Sequence, residues 1–163
     1  MTNNDILRRI RYTFDYDDKK MMALFASADL DVSREHLSNF LKKDDDTDYL
    51  ACNDTQLATF LNGLINDKRG KKEGPQPEPE KRLTNNIIFR KLRIALDLKD
   101  DDVLEILALA PFALSKPELS ALFRKAGHKH YRACKDQILR NFLKGLQHKY
   151  REDSKAEIGF KWD

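Results

Sequence analysis

Apolar residues recur at intervals of three and four along most of the chain, the spacing that places them on one face of an α-helix. The first such stretch contains Ile6, Leu7, Ile10 and Phe14. No stretch shows the sustained alternation of apolar and polar residues that is typical of a half-buried strand. Three more helices are predicted before residue 66, around residues 21–25, 37–41 and 57–64. The pattern therefore predicts an all-α fold.

The whole pattern occurs twice. Residues 2–65 recur without a gap as residues 84–147, at a constant shift of 82 positions. About a third of the aligned positions are identical, which marks a duplicated structural unit. We therefore predict two homologous four-helix modules joined by a Pro/Gly-rich linker. The predicted boundaries are 1–66 for the first repeat, 67–83 for the linker, 84–148 for the second repeat and 149–163 for a tail.

The two segments outside the repeats have different compositions. Residues 67–83 are rich in Pro, Gly and charged residues, which cannot bury much apolar surface, so we expect an exposed linker. It is long enough for the repeats to pair within one chain or to exchange between chains. The tail contains Phe160 and Trp162 without a helical period, and two interpretations stay open: it docks on the repeats, or it is loose.

Composition narrows the class of protein. The chain has 163 residues, of which 35% are charged and 40% hydrophobic, as in helix-rich soluble proteins. No apolar run approaches the roughly 18–20 residues that span a bilayer. The sequence begins without the basic and then apolar segments of a signal peptide. We therefore expect a cytoplasmic protein with no membrane partner.

The net charge of +3 conceals a difference between the repeats. Residues 1–66 contain 8 Lys and Arg against 12 Asp and Glu, a net charge of −4. Residues 84–148 contain 12 against 7, a net charge of +5. This polarity suits attraction between the halves or between chains, and it also suits an anionic partner for the second repeat.

A basic surface on the second repeat is the first candidate site. The second and third helices of each repeat have the proportions of a helix-turn-helix, which is also a common arrangement in all-α proteins that bind no DNA. If the second repeat contacts nucleic acid, its basic side chains would supply phosphate contacts rather than base recognition. The predicted residues are Lys116, Arg124, Lys125, Lys129, Arg132 and Lys135. A solvated basic face is the competing interpretation.

Three charged positions of the first helix are retained in both repeats. Arg8, Arg11 and Asp15 recur as Arg90, Arg93 and Asp97. Two arginines three residues apart share a helical face and can bind phosphate or carboxylate groups. The spacing also permits an Arg11–Asp15 salt bridge. Retention in both repeats favours a structural role, such as a bridge from the first helix to the region of Asp54 and Asp136.

The remaining candidate chemistry is sparse. Cys52 and Cys134 occupy equivalent positions, and two cysteines in a cytoplasmic chain are best interpreted as buried free thiols. His128 and His130 lie near Cys134, but the first repeat has acidic residues at the matching histidine positions and no fourth ligand is evident. No phosphate-binding glycine loop or nucleophile elbow occurs. We expect no metal site, no cofactor and no catalytic residues.

One family shares these motifs. Thr-Asn-Asn followed by Arg-x-x-Arg, then Ser-x-x-x-Leu-Ser, then Tyr-x-Ala-Cys-x-Asp and Phe-Leu-x-Gly-Leu, present twice, resembles the YehS-like bacterial proteins. These contain two copies of a domain of unknown function, DUF1456. The resemblance covers residues 2–66 and 84–148, and it implies a bacterial, cytosolic, helical protein with no assigned reaction, cofactor or catalytic residue.

Together these features predict a non-catalytic binding or regulatory protein. The leading hypothesis is association with nucleic acid through the basic second repeat. The alternative is a protein–protein interaction adaptor, or self-association, that uses the acidic and basic character of the two repeats. An enzyme would need a pocket with converging polar groups.

Overall fold

The computed structural model describes residues 1–152. Within this range the chain forms eight α-helices and a closing π-helical turn, with no strand. The helices are α1 (Asn3–Phe14), α2 (Asp18–Ser27), α3 (Arg34–Phe40), α4 (Asp54–Arg69), α5 (Asn85–Ala95), α6 (Asp100–Leu109), α7 (Lys116–Leu122) and α8 (Asp136–Gln147), and the π-helical turn is His148–Glu152. The predicted all-α fold of two repeats is confirmed. Phe160 and Trp162 lie outside the described residues.

The helices begin where the sequence places capping residues. Thr2 Oγ1 accepts the backbone N–H of Asp5 at 3.0 Å, and the Asp5 carboxylate accepts the Thr2 N–H at 2.8 Å. These two bonds form a capping box, which satisfies amide groups that the helix itself leaves free. In the second repeat Thr84 Oγ1 accepts the Ile87 N–H at 3.2 Å without a reciprocal bond, because Ile87 replaces the acid.

A buried asparagine ties the first helix of each repeat to the loop before the fourth. The Asn4 side chain is 1% exposed, and its amide donates to the carbonyls of Phe40 and Leu50 at 2.9 and 2.8 Å. Its oxygen accepts the backbone N–H of Cys52 at 2.9 Å and the hydroxyl of Tyr49 at 3.0 Å. One side chain therefore satisfies three buried or partly buried backbone groups.

The second repeat reproduces this network. Asn86 donates to the carbonyls of Leu122 and Arg132 at 3.0 and 2.8 Å and accepts the Cys134 N–H at 2.8 Å. Its neighbour Asn85 donates to Asp136 Oδ1 at 2.7 Å. The predicted bridge from the first helix to Asp136 is thus formed by an asparagine and not by an arginine.

Glycine permits a close approach between two helices in each repeat. A Cβ atom on Gly63 of α4 would lie 1.8 Å from the carbonyl oxygen of Leu24 in α2. A Cβ atom on Gly145 of α8 would lie 2.1 Å from the carbonyl oxygen of Ile106 in α6. Any side chain at these positions would force the helices apart.

The two repeats pair within one chain and share a continuous apolar core. Helix α1 packs against α8, and α4 packs against α5, so the first and fourth helices of both repeats form the centre. We refer to these two inter-repeat contacts as the α1–α8 seam and the α4–α5 seam. The duplication relates them by approximate twofold symmetry, since α1 corresponds to α5 and α8 corresponds to α4.

Most residues of the segment between the repeats are exposed, and some of its polar groups nevertheless contact the helices. Helix α4 continues to Arg69, so the boundary predicted at residue 66 falls within the helix. Gln76 Oε1 accepts the Asn66 side-chain amide at 2.8 Å, and the Leu83 N–H donates to Asp54 Oδ2 at 2.8 Å. The prediction missed these contacts because polar side chains can bind a surface without contributing to an apolar pattern.

The described part of the tail also packs on the repeats. Residues 148–152 continue α8 as a π-helical turn. The ring of Tyr150 lies 5.1 Å from that of Phe14, and Arg151 donates to the Tyr12 carbonyl at 2.8 Å. The second helical unit therefore extends beyond the predicted boundary at residue 148.

Replacement of Asn86 by alanine should destabilise the protein by about 3 kcal/mol, because it leaves two carbonyls and one N–H buried without partners. Denaturant-induced unfolding followed by circular dichroism measures this loss. Asn141→Ala is the matched control, since the half-buried Asn141 side chain on α8 makes no hydrogen bond within residues 1–152. Equal effects of the two substitutions would contradict the proposed role of Asn86.

Gly63→Ala should destabilise the fold by at least about 3 kcal/mol, because the added methyl group overlaps a backbone carbonyl that cannot move alone. Gly74→Ala is the control: nothing lies within 4 Å of its Cβ position, and its positive φ adds only about 1 kcal/mol of strain. A melting temperature of the Gly63 variant equal to that of the control would show that α2 and α4 can separate without loss.

Candidate functional site

Three of the six basic residues predicted to contact phosphate line one groove. These are Arg124, Arg132 and Lys135, all exposed. Within residues 1–152 their side chains form no hydrogen bond or salt bridge. Lys116 lies apart, with its Nζ 3.0 Å from Asp101 Oδ1. The groove therefore brings together only part of the predicted set.

The other two predicted residues lie elsewhere on the second repeat. Lys125 lies in a neighbouring depression with Arg93 and His128. Lys129 is exposed in the loop that follows α7. The six basic side chains therefore do not form one converging surface.

The groove itself, which we call the α7–α8 groove, has a volume of about 510 Å³ and a predominantly apolar lining. Its apolar lining residues are Leu114, Pro117, Ala121, Leu122, Ala133 and Ile138. One wall is the segment before α8, which the Asn86 network holds in place. The Arg132 N–H also donates to the Ala121 carbonyl at 3.1 Å, so the groove is preformed by backbone contacts.

The groove is positively charged. Among residues 1–152, Glu118 is the one carboxylate that lines it, and its Oε1 accepts the Ser115 N–H at 3.1 Å. Hydrogen bonds from Ser115 hold the pKa of Glu118 below its usual value, so this carboxylate is ionised at neutral pH. Three basic side chains against one carboxylate leave a net positive rim.

The apolar lining was missed because sequence reasoning concentrated on charge, although a signal was present. Pro117, Ala121 and Ile138 occupy positions where the first repeat has Glu35, Asn39 and Gln56. The basic side chains are equally specific to this repeat, since Arg132 and Lys135 replace Leu50 and Asn53. A comparison of the repeats position by position identifies the groove.

Two of these differences coincide with the absence of a helix cap in the second repeat. In the first repeat Asn53 and Gln56 form a capping box at the start of α4, with hydrogen bonds of 2.8 and 2.9 Å. In the second repeat Lys135 and Ile138 stand at those positions, and α8 begins without a side-chain cap. Loss of such a cap costs about 1 kcal/mol.

The duplicated arginines have mainly internal partners. Arg8 Nη1 donates to the Lys42 carbonyl at 2.7 Å, and Arg90 Nη2 donates to the Phe123 carbonyl at 3.3 Å. Both bonds satisfy free carbonyls at the end of the third helix of a repeat. Arg93 donates to the Leu98 carbonyl at 3.1 Å, so these guanidinium groups stabilise helix ends.

The duplicated aspartates end the first helix of each repeat. Asp15 and Asp97 have φ values of 54° and 53°, in the left-handed region that short polar residues tolerate. Within residues 1–152 the predicted Arg11–Asp15 salt bridge is absent, because this backbone turn directs Asp15 away from the helix. Asp15 instead pairs with Arg151 at 3.2 Å, and Asp97 pairs with Arg69 at 2.9 Å.

Cys52 and Cys134 are free and buried, each just before the fourth helix of its repeat. Burial raises the pKa of both thiols to about 12. At neutral pH they are therefore protonated and poorly nucleophilic. Among residues 1–152 no group of three or more His, Cys, Asp or Glu side chains is arranged to hold a metal ion. No helix in that range is long and apolar enough to cross a membrane.

Two four-helix repeats that share one core define this chain as an all-α tandem-repeat protein. The sequence model of DUF1456, a protein family of unknown function, matches residues 3–70 and 85–152, and the chain belongs to that family. It is 44% identical over 147 residues to a protein of Escherichia coli K12 described as "Uncharacterized protein YehS", covering 90% of this chain and 94% of the relative. No solved structure matches the chain significantly. The resemblance stated from the duplicated motifs is confirmed, and the family description assigns no enzymatic activity.

The raised pKa of the two thiols predicts slow chemical modification of the folded protein. At pH 8 a thiol-specific disulfide reagent should react at least about 100-fold faster after unfolding in guanidinium than in the native state. Because the pKa of each thiol is higher in the folded protein than in the unfolded chain, the neutral thiols stabilise the folded state. This contribution to the free energy of unfolding is complete below pH 9 and is lost as the pH rises towards 12. Rapid native labelling of either cysteine would contradict this description.

Proposed function

We propose that this protein is a non-catalytic adaptor whose α7–α8 groove binds an apolar, acid-flanked segment of a partner protein. The observation that carries the proposal is the exchange of a helix cap for Lys135 and Ile138, two residues that line the groove. This difference lowers the stability of the helix start, and it places a basic and an apolar side chain on one concave surface. Such a combination is consistent with selection for binding.

The chemistry of the groove favours one kind of ligand. The apolar lining can bury an aliphatic or aromatic side chain of a bound peptide, and such anchors supply most of the affinity of peptide recognition. The rim of Arg124, Arg132 and Lys135 complements carboxylates that flank such an anchor. The backbone around the groove is fixed by hydrogen bonds, which reduces the entropy lost on binding.

Selection of a random peptide library on the immobilised full-length protein tests the proposal. We expect enrichment of peptides with an apolar anchor flanked by Asp or Glu. The double substitution Lys135→Asn with Ile138→Gln restores the residues of the first repeat. It should stabilise the protein by about 1 kcal/mol through the regained capping box and should weaken binding of an enriched peptide at least about tenfold.

This variant separates loss of binding from loss of structure, because stability is expected to rise while affinity falls. Fluorescence anisotropy with the labelled peptide gives the affinity, and denaturant unfolding gives the stability. The charge reversal Lys72→Glu in the exposed linker is the control and should leave affinity unchanged. Undiminished binding by the double variant, or failure to enrich acid-flanked peptides, would exclude the groove as a peptide site.

Nucleic acid is the second candidate ligand, favoured by the convergence of Arg124, Arg132 and Lys135 on one groove. Two observations weigh against it: α7 has only seven residues, and within residues 1–152 the groove is lined by no Phe, Tyr or Trp ring on which a base could stack, only by the imidazole of His130. Titration with labelled mixed-sequence DNA and RNA at low and near-physiological salt distinguishes the candidates. Salt-sensitive binding that Arg124→Glu with Lys125→Glu abolishes would favour nucleic acid.

A further inference from the structure

The α1–α8 seam contains an open polar cleft that the groove does not explain. The cleft has a volume of about 500 Å³, within the range of small-molecule sites. It is lined by Met1, Asp5, Arg8, Arg9 and Tyr12 from the start of the chain and α1, and by Arg140 and Gln147 from α8. Three arginines face one carboxylate, so the cleft is positively charged.

Two of the arginines are available to a ligand. Within residues 1–152 the side chains of Arg9 and Arg140 form no hydrogen bond or salt bridge. Arg8 is different, because its guanidinium pairs with Asp5 and donates to the Lys42 carbonyl. The charge of Asp5 is thereby balanced by Arg8. Arg9 has no carboxylate partner in the described residues, and Arg140 is attracted to Asp136, one turn earlier on α8, without a salt bridge.

The equivalent α4–α5 seam shows what the fold alone requires. Ala58 and Ile65 of α4 stand where α8 has Arg140 and Gln147, and Ile87 of α5 stands where α1 has Asp5. Ala58 is fully buried and Ile65 and Ile87 are partly buried, so this seam is largely dry. Polar residues at these three positions are therefore unnecessary for pairing the repeats, and Asp5, Arg140 and Gln147 of the α1–α8 seam need another explanation.

The α4–α5 seam also shows which groups bind the cation that corresponds to Arg9. Lys91 corresponds to Arg9, and its Nζ lies 3.0 Å from the Glu80 carboxylate and 2.6 Å from Asn62 Oδ1. Glu80 belongs to the segment between the repeats. At the α1–α8 seam no carboxylate of residues 1–152 forms a salt bridge with Arg9, which lies in the second turn of α1.

We propose that the α1–α8 cleft is a binding site for a small anion bearing phosphate or carboxylate groups, held by Arg9 and Arg140. The ligand occupies the place that Glu80 takes at the other seam. Both anion types match the planar donor fork of arginine. Because the ligand contacts α1 and α8 at once, binding also stabilises the pairing of the two repeats.

Isothermal titration calorimetry of the full-length protein at low ionic strength tests this site, with inorganic pyrophosphate and citrate as separate probes. Pyrophosphate binding alone would identify a phosphate ligand, citrate binding alone a carboxylate ligand, and binding of both a site open to either. Arg9→Gln with Arg140→Gln should weaken binding at least about tenfold, because two charge-assisted contacts are lost. Absence of binding by both probes would overturn the proposal.

The control matches the loss of charge. Lys71→Gln with Lys72→Gln removes two positive charges from the exposed linker and should change affinity less than about twofold. Equal weakening by the linker variant would show non-specific attraction and reject the site. The groove variant Lys135→Asn with Ile138→Gln should bind the anions normally, so failure of the peptide proposal and failure of this one are distinguishable.

Discussion

The buried asparagine in the first helix of each repeat is the constraint on which the remaining structure depends. Asn4 and Asn86 each satisfy the carbonyl at the end of the third helix and two backbone groups of the loop before the fourth. An amide is the only side-chain group that both donates twice and accepts at one site. The loop it holds carries Arg132 and Ala133 into the α7–α8 groove, so a core hydrogen bond fixes a surface site.

Comparison of the two repeats distinguishes residues that the fold requires from residues that occur in one repeat alone. Features present twice, such as Gly63 and Gly145 at the close helix contacts, serve packing. Features present once are different. Within residues 1–152 the apolar and basic lining of the groove belongs to the second repeat, and the open polar cleft lies at the α1–α8 seam. An internal duplication thus provides its own control for function.

Sequence predicted the fold well because helix periodicity and duplication are strong, local signals. The first-helix capping box follows directly from Thr2 and Asp5. Interactions between distant polar residues were not predictable in the same way. The roles of Asn4 and Asp15 depend on backbone geometry far away in sequence, which periodicity does not encode. The basic residues of the groove were predicted from the sequence, but its apolar lining was not. That lining can be recognised in the sequence when residues of the two repeats are compared, as with Ile138 and Gln56.

The cap missing from α8 has a small energetic cost. A unit without the Asn53 and Gln56 pair is less stable than one with it by about 1 kcal/mol. The second copy can tolerate that loss because its helices are held by a core shared with the first. A single 64-residue unit has little stability to spare. Pairing of the repeats therefore allows a weaker helix start, and the weaker start is what makes room for Lys135 and Ile138 in the groove.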